Sequence, residues 1–206
     1  MIQALSHEPS VPGPAEDLPQ AVKILVSGGF GTGKTTLVST ASEITPFHTE
    51  ERLTRSGIGI DDTSGVGEKT TTTVAMDFGR IAIHDRLDLF LFGTPGQDRF
   101  WFMWDELASG ALCAVVLVDT RRLDASFASI DYFERRRLPY VVAVNVFDDA
   151  RVYPAETVRA ALDVDVTVPV LSCDARQRAS VKQLLVSAVT HVLRVEELLA
   201  GVGAAE

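Results

Sequence analysis

The segment from Gly28 to Thr35 carries the residues whose spacing most clearly implies chemistry. It reads Gly-Gly-Phe-Gly-Thr-Gly-Lys-Thr and matches the pattern G-x-x-x-x-G-K-[ST] in full. Its glycines let successive backbone N–H groups turn inward around phosphate oxygens, and a helix N-terminus adds partial positive charge. Lys34 would reach the β- and γ-phosphates, and the Thr35 hydroxyl would bind Mg²⁺. The segment predicts a nucleoside triphosphate site.

The chain on either side of this phosphate loop supports that interpretation. The apolar run from Ala21 to Ser27 predicts a short buried strand, and Thr36 to Ala41 can begin a helix that fades before Pro46. A chance glycine-rich turn is the alternative, but strand, loop and helix in this order are the context that the motif needs. The predicted phosphate contacts are Gly28, Gly29, Phe30, Gly31, Thr32, Gly33, Lys34, Thr35 and Thr36.

Three later loops also follow predicted strands. Residues Gly93 to Arg99 read Gly-Thr-Pro-Gly-Gln-Asp-Arg, Asn145 to Asp148 read Asn-Val-Phe-Asp, and Asp174 to Arg176 read Asp-Ala-Arg. In an open α/β sheet, ligands bind in the crevice at the carboxyl ends of the strands. We therefore expect these three loops to lie beside the phosphate loop.

Apolar periodicity defines the elements that position these loops. Val74 to Ile83 and Leu87 to Phe92 predict two antiparallel strands, because only three residues separate them. The other predicted elements are a strand at Ala111 to Val118, a helix from a capping Asp124 to about Arg137, a strand at Tyr140 to Asn145, a helix at Pro154 to Leu162, a strand at Val168 to Ser172 and a helix at Ser180 to Leu199. This alternation predicts an α/β fold, with a mostly parallel six-stranded sheet, one antiparallel strand and helices on both faces.

Two stretches lack such a pattern. Residues 1–20 are rich in proline and polar residues and predict a disordered N-terminal tail, and residues 201–206 form a short C-terminal tail. The folded domain would then span residues 21–200. From Thr45 to Thr73 no period is sustained, and a connection this long is normally functional or disordered. The four threonines that end it could also simply start an edge strand.

Bulk composition narrows the function. A chain of 206 residues fits one substantial domain, and a net charge of −9 argues against nonspecific binding to nucleic acid or anionic membranes. Cys113 and Cys173 lie in apolar runs, as buried thiols do in a reducing compartment, so no disulfide is expected. No apolar run is long enough to cross a bilayer, and we recognise neither a signal peptide nor a prenylation box. The expected location is cytoplasmic.

Taken together, the loops resemble those of the Ras-like small GTPases over roughly residues 21–197. The loop at Gly93 to Gln97 resembles their Asp-x-x-Gly-Gln loop, Asn145 to Asp148 their Asn-Lys-x-Asp guanine motif, and Asp174 to Arg176 their Ser-Ala-Lys segment. The segments Thr-Thr-Thr-Thr-Val-Ala-Met-Asp-Phe-Gly and Cys-Asp-Ala-Arg are similar to the small GTPases of actinobacterial conservons, which resemble the bacterial gliding-motility GTPase. The resemblance implies the P-loop NTPase (small G-protein) fold.

This resemblance implies roles at the base. Asp148 would accept two hydrogen bonds from guanine N1–H and N2–H₂, which adenine lacks. An ordinary solvated acid is the alternative, and Asp149 could substitute. Asn145 would tie the loops together. Ala175 would donate its backbone N–H to guanine O6, and Arg176 would pack near the base. The predicted contacts on this side are Asn145, Asp148, Asp174, Ala175 and Arg176.

It also implies roles at the γ-phosphate. Gly96 would donate a backbone N–H to it, and Gln97 would orient the attacking water, although Pro-Gly-Gln could be a turn without chemistry. The predicted catalytic residues are Gln97, Lys34 and Thr73. The Thr73 hydroxyl would complete the Mg²⁺ site with Thr35, and Thr72 is the fallback.

Two positions depart from the family pattern. Gly93 stands where the Asp of Asp-x-x-Gly is usual, so the metal lacks its customary carboxylate. Asp77 on the neighbouring strand is the candidate replacement, acting through water, although it could equally be a sheet-edge charge. Val146 stands where the Lys of Asn-Lys-x-Asp is usual, which predicts a nucleotide affinity lower than is typical.

The segment from Phe100 to Trp104 bears on partners. It reads Phe-Trp-Phe-Met-Trp, and four aromatic residues this close cannot all face one side of a helix. We expect some of them on the surface, docking a partner in the triphosphate state, with burial inside the fold as the alternative. Substituting Trp101 or Trp104 by Ala should then abolish partner binding and spare nucleotide binding.

The leading interpretation is a GTP-binding switch. It binds GTP or GDP with Mg²⁺, hydrolyses GTP slowly with help from a partner, and signals through loops at residues 45–73 and 93–105. No arginine finger can be selected among Arg55, Arg80 and Arg99. The resemblance implies a Roadblock-type partner and a sensor histidine kinase. From the negative net charge we expect no nucleic-acid partner, and we expect membrane association only through partners. A P-loop small-molecule kinase and a nucleotide-binding adaptor with negligible hydrolysis stay open.

Overall fold

Strands and helices alternate along most of this chain. The computed structural model describes residues 19–45, 47–54, 71–96 and 103–203. The strands are β1 (Gln20–Ser27), β2 (Phe47–Thr54), β3 (Thr71–His84), β4 (Leu87–Gly93), β5 (Cys113–Val118), β6 (Tyr140–Asn145) and β7 (Val170–Cys173). The helices are α1 (Lys34–Ala41), α2 (Trp104–Ala108), α3 (Asp124–Arg136), α4 (Ala155–Leu162) and α5 (Arg178–Gly203). Residues 1–18 of the predicted N-terminal tail (residues 1–20), and residues 204–206, lie outside the described part of the chain.

All the described strands form one mixed sheet in the order β2-β3-β4-β1-β5-β6-β7. Strand β3 pairs antiparallel with both β2 and β4, whereas β1, β4, β5, β6 and β7 pair parallel. The six predicted strands, the single antiparallel strand and the hairpin between β3 and β4 are therefore confirmed. The sheet has seven strands because β2 is added at its edge.

Strand β2 corrects the prediction for residues 45–73. Its sequence, Phe-His-Thr-Glu-Glu-Arg-Leu-Thr, pairs with β3 from Thr71 to Phe78. The pairing rests on backbone hydrogen bonds to a segment distant in the chain. The strand itself is mostly polar, so it shows no apolar periodicity from which it could be predicted. The last threonines of the predicted loop belong to β3, so they do start a strand, but one that is internal to the sheet. Residues 55–70 lie outside the described part.

The core lies in two apolar layers, one on each face of the sheet. Alternate residues of β1, β5 and β6 point into each layer, as strands buried on both faces must. One layer packs against α1 and α5 and includes Leu37, Val38, Leu184 and Ala188. The opposite layer packs against α2, α3 and α4 and includes Leu107, Phe133 and Leu162. Because the helices pack on the two faces, the strand–helix loops lie at the edge of the sheet where the parallel strands end.

The structure also tests the predictions for two helix ends, the cysteines and membrane-spanning segments. Helix α3 begins at Asp124, but Leu123 occupies the N-cap position and no side chain caps the helix, so Asp124 is a first-turn acid near the positive helix end. Helix α5 runs to Gly203, past the predicted Leu199. Both cysteines are buried and free, and burial raises the pKa of the Cys113 thiol to about 12. Among the described helices, none is long and apolar enough to span a membrane.

Candidate nucleotide site

The phosphate loop connects β1 to α1, as predicted. Gly28, Gly31 and Gly33 have φ angles of 133°, 76° and 101°. Gly33 is the N-cap of α1, and no side chain caps that helix. A Cβ on Gly33 would lie 2.4 Å from Asn145 Nδ2, so both the backbone angle and the close approach require glycine here. The loop thus presents the N-terminus of α1 to any anion that it encloses.

Lys34 is the buried cation of this loop. Its side chain has 9% exposure, and its ammonium donates hydrogen bonds of 2.8 Å to both Gly28 O and Gly29 O. Burial lowers the pKa of Lys34 to about 8, and the negative charge of Asp77 opposes that shift. The ammonium is held by two neutral carbonyls, which negatively charged phosphate oxygens can replace with a gain in electrostatic energy.

Thr35, Asp77 and Gly93 form the predicted metal side of the site. Thr35 Oγ1 donates a 2.7 Å hydrogen bond to Asp77 Oδ2. Asp77 faces Gly93 across the β3–β4 pair, and a Cβ on Gly93 would lie 2.9 Å from Asp77 Cβ and 3.0 Å from Asp77 Oδ2. Asp77 therefore fills the room that a side chain at position 93 would need. Thr73 lies in β3 opposite Arg52 of β2, one residue after Thr72.

A chain of buried hydroxyls secures the loop that follows β4. Thr94 Oγ1 donates to Ser27 Oγ at 3.0 Å, and Ser27 Oγ donates to Ser129 Oγ of α3 at 3.1 Å. The Thr94 backbone N–H also donates to Val26 O at 2.9 Å. Sequence analysis missed these contacts, although a serine that ends an apolar strand and a threonine that begins a loop were available signals. These hydrogen bonds hold the start of this loop against β1 and α3.

The same loop reaches the phosphate loop at Gly96. A Cβ there would lie 2.7 Å from Lys34 Nζ and 3.1 Å from the Phe30 backbone nitrogen. The predicted γ-phosphate contact is thus beside the predicted phosphate-binding lysine. Gln97, the predicted catalytic residue, and Asp98 and Arg99 lie outside the described residues.

Trp104 is interior, so for this residue the burial alternative holds, and it is not one of the expected surface aromatics. Its side chain has 3% exposure, and Nε1 donates to Pro95 O at 3.3 Å. Its ring packs against Tyr132 and Phe133 of α3, with centroids 5.1 and 6.2 Å away. Helix α2 turns this residue back onto α3, so it supports the loop beneath Gly96. Phe100, Trp101 and Phe102 lie outside the described part of the chain.

Asn145, the last residue of β6, joins two loops, as predicted. Its Nδ2 donates to Thr32 O of the phosphate loop at 2.9 Å, and its Oδ1 accepts from the Ala175 backbone N–H at 3.1 Å. Thr32 is itself buried and donates from Oγ1 to Gly29 O. The Ala175 N–H was predicted to serve guanine O6, whereas here it is donated to Asn145. This one amide couples the phosphate loop to the loop after β7.

Asp148 and Arg176 form the outer end of the site. Asp148 is exposed, and its carboxylate accepts three contacts of 3.0 to 3.1 Å from the two terminal nitrogens of Arg176. The same guanidinium donates from Nε to Asp174 Oδ1 at 2.9 Å. Arg176 was expected to pack near the base, and here it pairs with Asp148, the carboxylate predicted to bind the base.

A second ion-pair cluster flanks Asp148. Arg121 lies 4.2 Å from the ring centroid of Phe147 and donates to Asp149 Oδ1 at 2.6 Å. It also donates from Nε to Asp119 Oδ1 at 2.9 Å. Asp119 is buried at the end of β5, and its hydrogen bonds from Arg121 hold its pKa below the usual range. Asp149, the predicted substitute for Asp148, is therefore already bound, and sequence analysis had not singled out Arg121.

Two further predicted contacts lie at the rim of the phosphate loop. Phe30 has 69% exposure, and its carbonyl accepts a 2.9 Å hydrogen bond from Arg122, which sequence analysis missed. Thr36 is exposed in the first turn of α1. No group of three or more His, Cys, Asp or Glu residues that could hold a metal occurs among the described residues. A metal here would depend on few protein ligands.

The fold is similar to that of solved G domains. The G domain of the T. maritima FeoB iron transporter matches with a TM-score of 0.58 at 14% identity, covering 84% of this chain and 99% of that one. The cytosolic domain of the same transporter in a GDP form matches with a TM-score of 0.59 at 14% identity, covering 87% of this chain and 65% of that one. At this identity the likeness establishes the fold, which is that of a P-loop G domain.

Sequence comparison gives the family. The uncharacterized protein MJ1339 of Methanocaldococcus jannaschii is 30% identical over 129 residues, which are 62% of this chain and 71% of that protein. A family model described as "Conserved hypothetical ATP binding protein" matches residues 26–195, which include the phosphate loop and the loops after β4, β6 and β7. The chain belongs to this family of conserved hypothetical ATP binding proteins.

Proposed function

We propose that this protein is a guanine-nucleotide switch that binds GTP or GDP with Mg²⁺ and hydrolyses GTP slowly. The observation that carries the proposal is the side chain of Asn145, which bonds both the phosphate loop and the Ala175 loop. One nucleotide can therefore contact Lys34 at its phosphates and the loop of Asp148 at its base. The family description names ATP, so the identity of the base is the first question to test.

Asp148 would select guanine by its hydrogen-bonding chemistry. A carboxylate accepts from N1–H and N2–H₂ of guanine, whereas adenine offers an acceptor at N1. In the Asp148→Asn variant the amide offers a donor that matches the 2-oxo group of xanthine. We expect wild-type protein to prefer GDP over ADP and Asp148→Asn to prefer xanthosine diphosphate, measured by calorimetry. Equal binding of ADP and GDP by wild type, unchanged in the variant, would remove the guanine proposal.

Mg²⁺ fits the residues present. It binds through one or two protein oxygens, substrate phosphates and water, so it needs no cluster of carboxylates. Thr35 Oγ1 would be a direct ligand, Asp77 would act through water, and Thr73 is the proposed second hydroxyl. The ion would neutralise phosphate charge during transfer.

The crowding between Asp77 and Gly93 provides a test of this metal side. Asp77→Ala should remove most of the Mg²⁺ dependence of GTP binding. The single variant Gly93→Asp should bind GTP more weakly than wild type, because the added Cβ would collide with Asp77. The double variant Asp77→Ala/Gly93→Asp should regain Mg²⁺ dependence, read from GTP dissociation with and without chelator. A double variant no better than Asp77→Ala would contradict this exchange of carboxylates.

Hydrolysis would use the loop after β4. Gly96 lies beside Lys34 and Gln97 follows it, which suits a residue that orients water at the γ-phosphate. We expect phosphate release from GTP to be slow and to fall about tenfold or more in Gln97→Leu, with GTP affinity retained. Transfer to an added small-molecule acceptor would favour the kinase alternative. Tight GTP binding without release in wild type would favour the adaptor.

The proposed partners rest on the sequence resemblance to conservon GTPases. A Roadblock-type protein and a sensor histidine kinase are the candidates, with Trp101 as the proposed anchor. Substituting Trp104 by Ala cannot test partner binding, because Trp104 is buried and its removal would cost about 3 to 5 kcal/mol of folding free energy. Trp101→Ala should weaken binding of a Roadblock-type partner to the GTP form more than tenfold, measured by calorimetry. An unchanged affinity would exclude this anchor.

A further inference from the structure

The guanidinium of Arg176 presents to Asp148 the same pattern of donors as guanine. Two of its nitrogens donate to the Asp148 carboxylate, with three contacts between 3.0 and 3.1 Å. Guanine N1–H and N2–H₂ are likewise two neighbouring donors aimed at one carboxylate. The side chain and the base therefore need the same two oxygens of Asp148.

Arg176 is also held in place from its other side. The Asp174 carboxylate accepts three hydrogen bonds from Arg176: from Nε at 2.9 Å, from a terminal guanidinium nitrogen at 3.1 Å and from the Arg176 backbone N–H at 3.0 Å. Gln177 Nε2 donates to the same carboxylate at 3.1 Å. These bonds hold the pKa of Asp174 at about 2, so Asp174 stays charged at any physiological pH. Single exposed ion pairs contribute little, but a bidentate arginine fixed by a second carboxylate belongs to the stronger class.

We infer that Arg176 is an affinity-determining residue that competes with guanine for Asp148 and so promotes nucleotide exchange. The inference rests on the proposed guanine function. When GDP enters, its base displaces the guanidinium from Asp148, and when GDP leaves, the guanidinium returns. Each departure of the base is thus compensated within the protein, which lowers the free-energy difference between the bound and empty states. The mechanism needs no exchange partner.

A residue that competes with the base differs in its effect from a residue that merely covers the base. A covering residue adds contacts to bound nucleotide, so its removal weakens binding. A competitor stabilises the empty site, so its removal tightens binding. Adenine, with one donor group and a neighbouring acceptor, cannot replace a bidentate guanidinium, so ADP binding should not respond.

The test compares GDP binding to wild type and to Arg176→Ala in full-length protein, using a fluorescent GDP analogue and calorimetry. We expect about fivefold tighter binding and a slower dissociation rate, the scale of a well-ordered ion pair at the surface. Arg135→Ala is the matched control, because it removes an arginine paired with Asp131 on α3, away from the site. It should leave GDP affinity unchanged.

Chemical rescue adds a second readout. A free guanidinium binds one exposed carboxylate weakly, so guanidinium chloride at about 0.3 M should restore the weaker GDP affinity in Arg176→Ala. Sodium chloride at the same concentration should not. In the Asp148→Asn background, Arg176→Ala should leave the affinity for xanthosine diphosphate unchanged, because the carboxylate for which the two groups compete is gone.

The outcomes separate this inference from the proposed function. Weaker or unchanged GDP binding by Arg176→Ala, while Asp148→Asn still switches the base, would overturn the competitor role and leave the guanine switch intact. Loss of any preference for guanine in wild type would overturn both. Tighter GDP binding with guanidinium rescue would support both.

Discussion

The two ends of the candidate site are built from different kinds of contact. At the phosphate end, Lys34, Thr32 and Asn145 are buried, and their hydrogen bonds run to backbone carbonyls and amides. At the base end, Asp148 and Arg176 are exposed, and their hydrogen bonds run between charged side chains. The geometry of the phosphate end is set by the backbone. The geometry of the base end is set by ion pairs between side chains that can exchange partners.

This difference assigns separate tasks to the two ends. Buried bonds to the backbone cannot rearrange without disturbing β1 and α1, so the phosphate end is preorganised for its anion. Exposed charge pairs reorganise at little cost, so the base end can open and close around a ligand. Substitutions at the phosphate end should therefore cost much, and substitutions at the base end should tune affinity.

The largest expected effect is that of Gly33→Ala. Its Cβ would meet Asn145 Nδ2 at 2.4 Å with φ at 101°, so the loop must shift. We expect GDP affinity to fall about 100-fold, the scale of an ångström of misplacement at a preorganised site. Gly110→Ala is the matched control, since φ there is 70° and nothing lies within 4 Å of the added Cβ. If both variants bind GDP like wild type, the backbone at the phosphate end is not rigid.

Asn145→Ala should damage the junction between the two ends. It leaves Thr32 O and the Ala175 N–H without their observed partner in a buried environment. We expect the free energy of unfolding to fall by about 3 kcal/mol, since each unsatisfied buried group costs about 1 to 3 kcal/mol. Chemical denaturation measures it. A loss below about 1 kcal/mol would mean that water replaces the amide.

Nucleotide affinity should depend on pH through Lys34. Its pKa near 8 in the free protein means that the ammonium is present below pH 8 and is lost as the pH rises through that value. Bound phosphate favours the ammonium, so affinity should be full at pH 7 and fall about tenfold by pH 9. Calorimetry across this range tests it, with Lys34→Arg as the control because arginine stays protonated. An equal fall in the Arg variant would assign the titration elsewhere.

The smallest expected effect is that of Asp149→Asn at the base end. Asp149 is exposed and pairs with Arg121, which also contacts Asp119. Removing one exposed charge should change GDP affinity by less than about threefold. A loss as large as that of Gly33→Ala would break the distinction between the two ends.

The sequence predicted the phosphate end far better than the base end. Strand, glycine loop and helix are consecutive in the chain, so their motif specifies the local backbone directly. The contact between Arg176 and Asp148 joins loops after β6 and β7, and no local pattern reports which partner a long flexible side chain selects. The same reason explains Trp104, whose burial depends on the packing of α2 against α3. Strand β2 was missed because its partner lies beyond a long connection.

The shared space at Asp77 and Gly93 carries an epistatic consequence. Because a side chain at one position occupies the volume that the other would need, neither residue can mutate toward the usual small-GTPase arrangement without passing through a crowded or a carboxylate-free intermediate. A motif search that scores the two columns independently would count Gly93 as a defect. Scored jointly, an aspartate at the position of Asp77 and a glycine at that of Gly93 form a pattern by which other chains with the same crowding can be found.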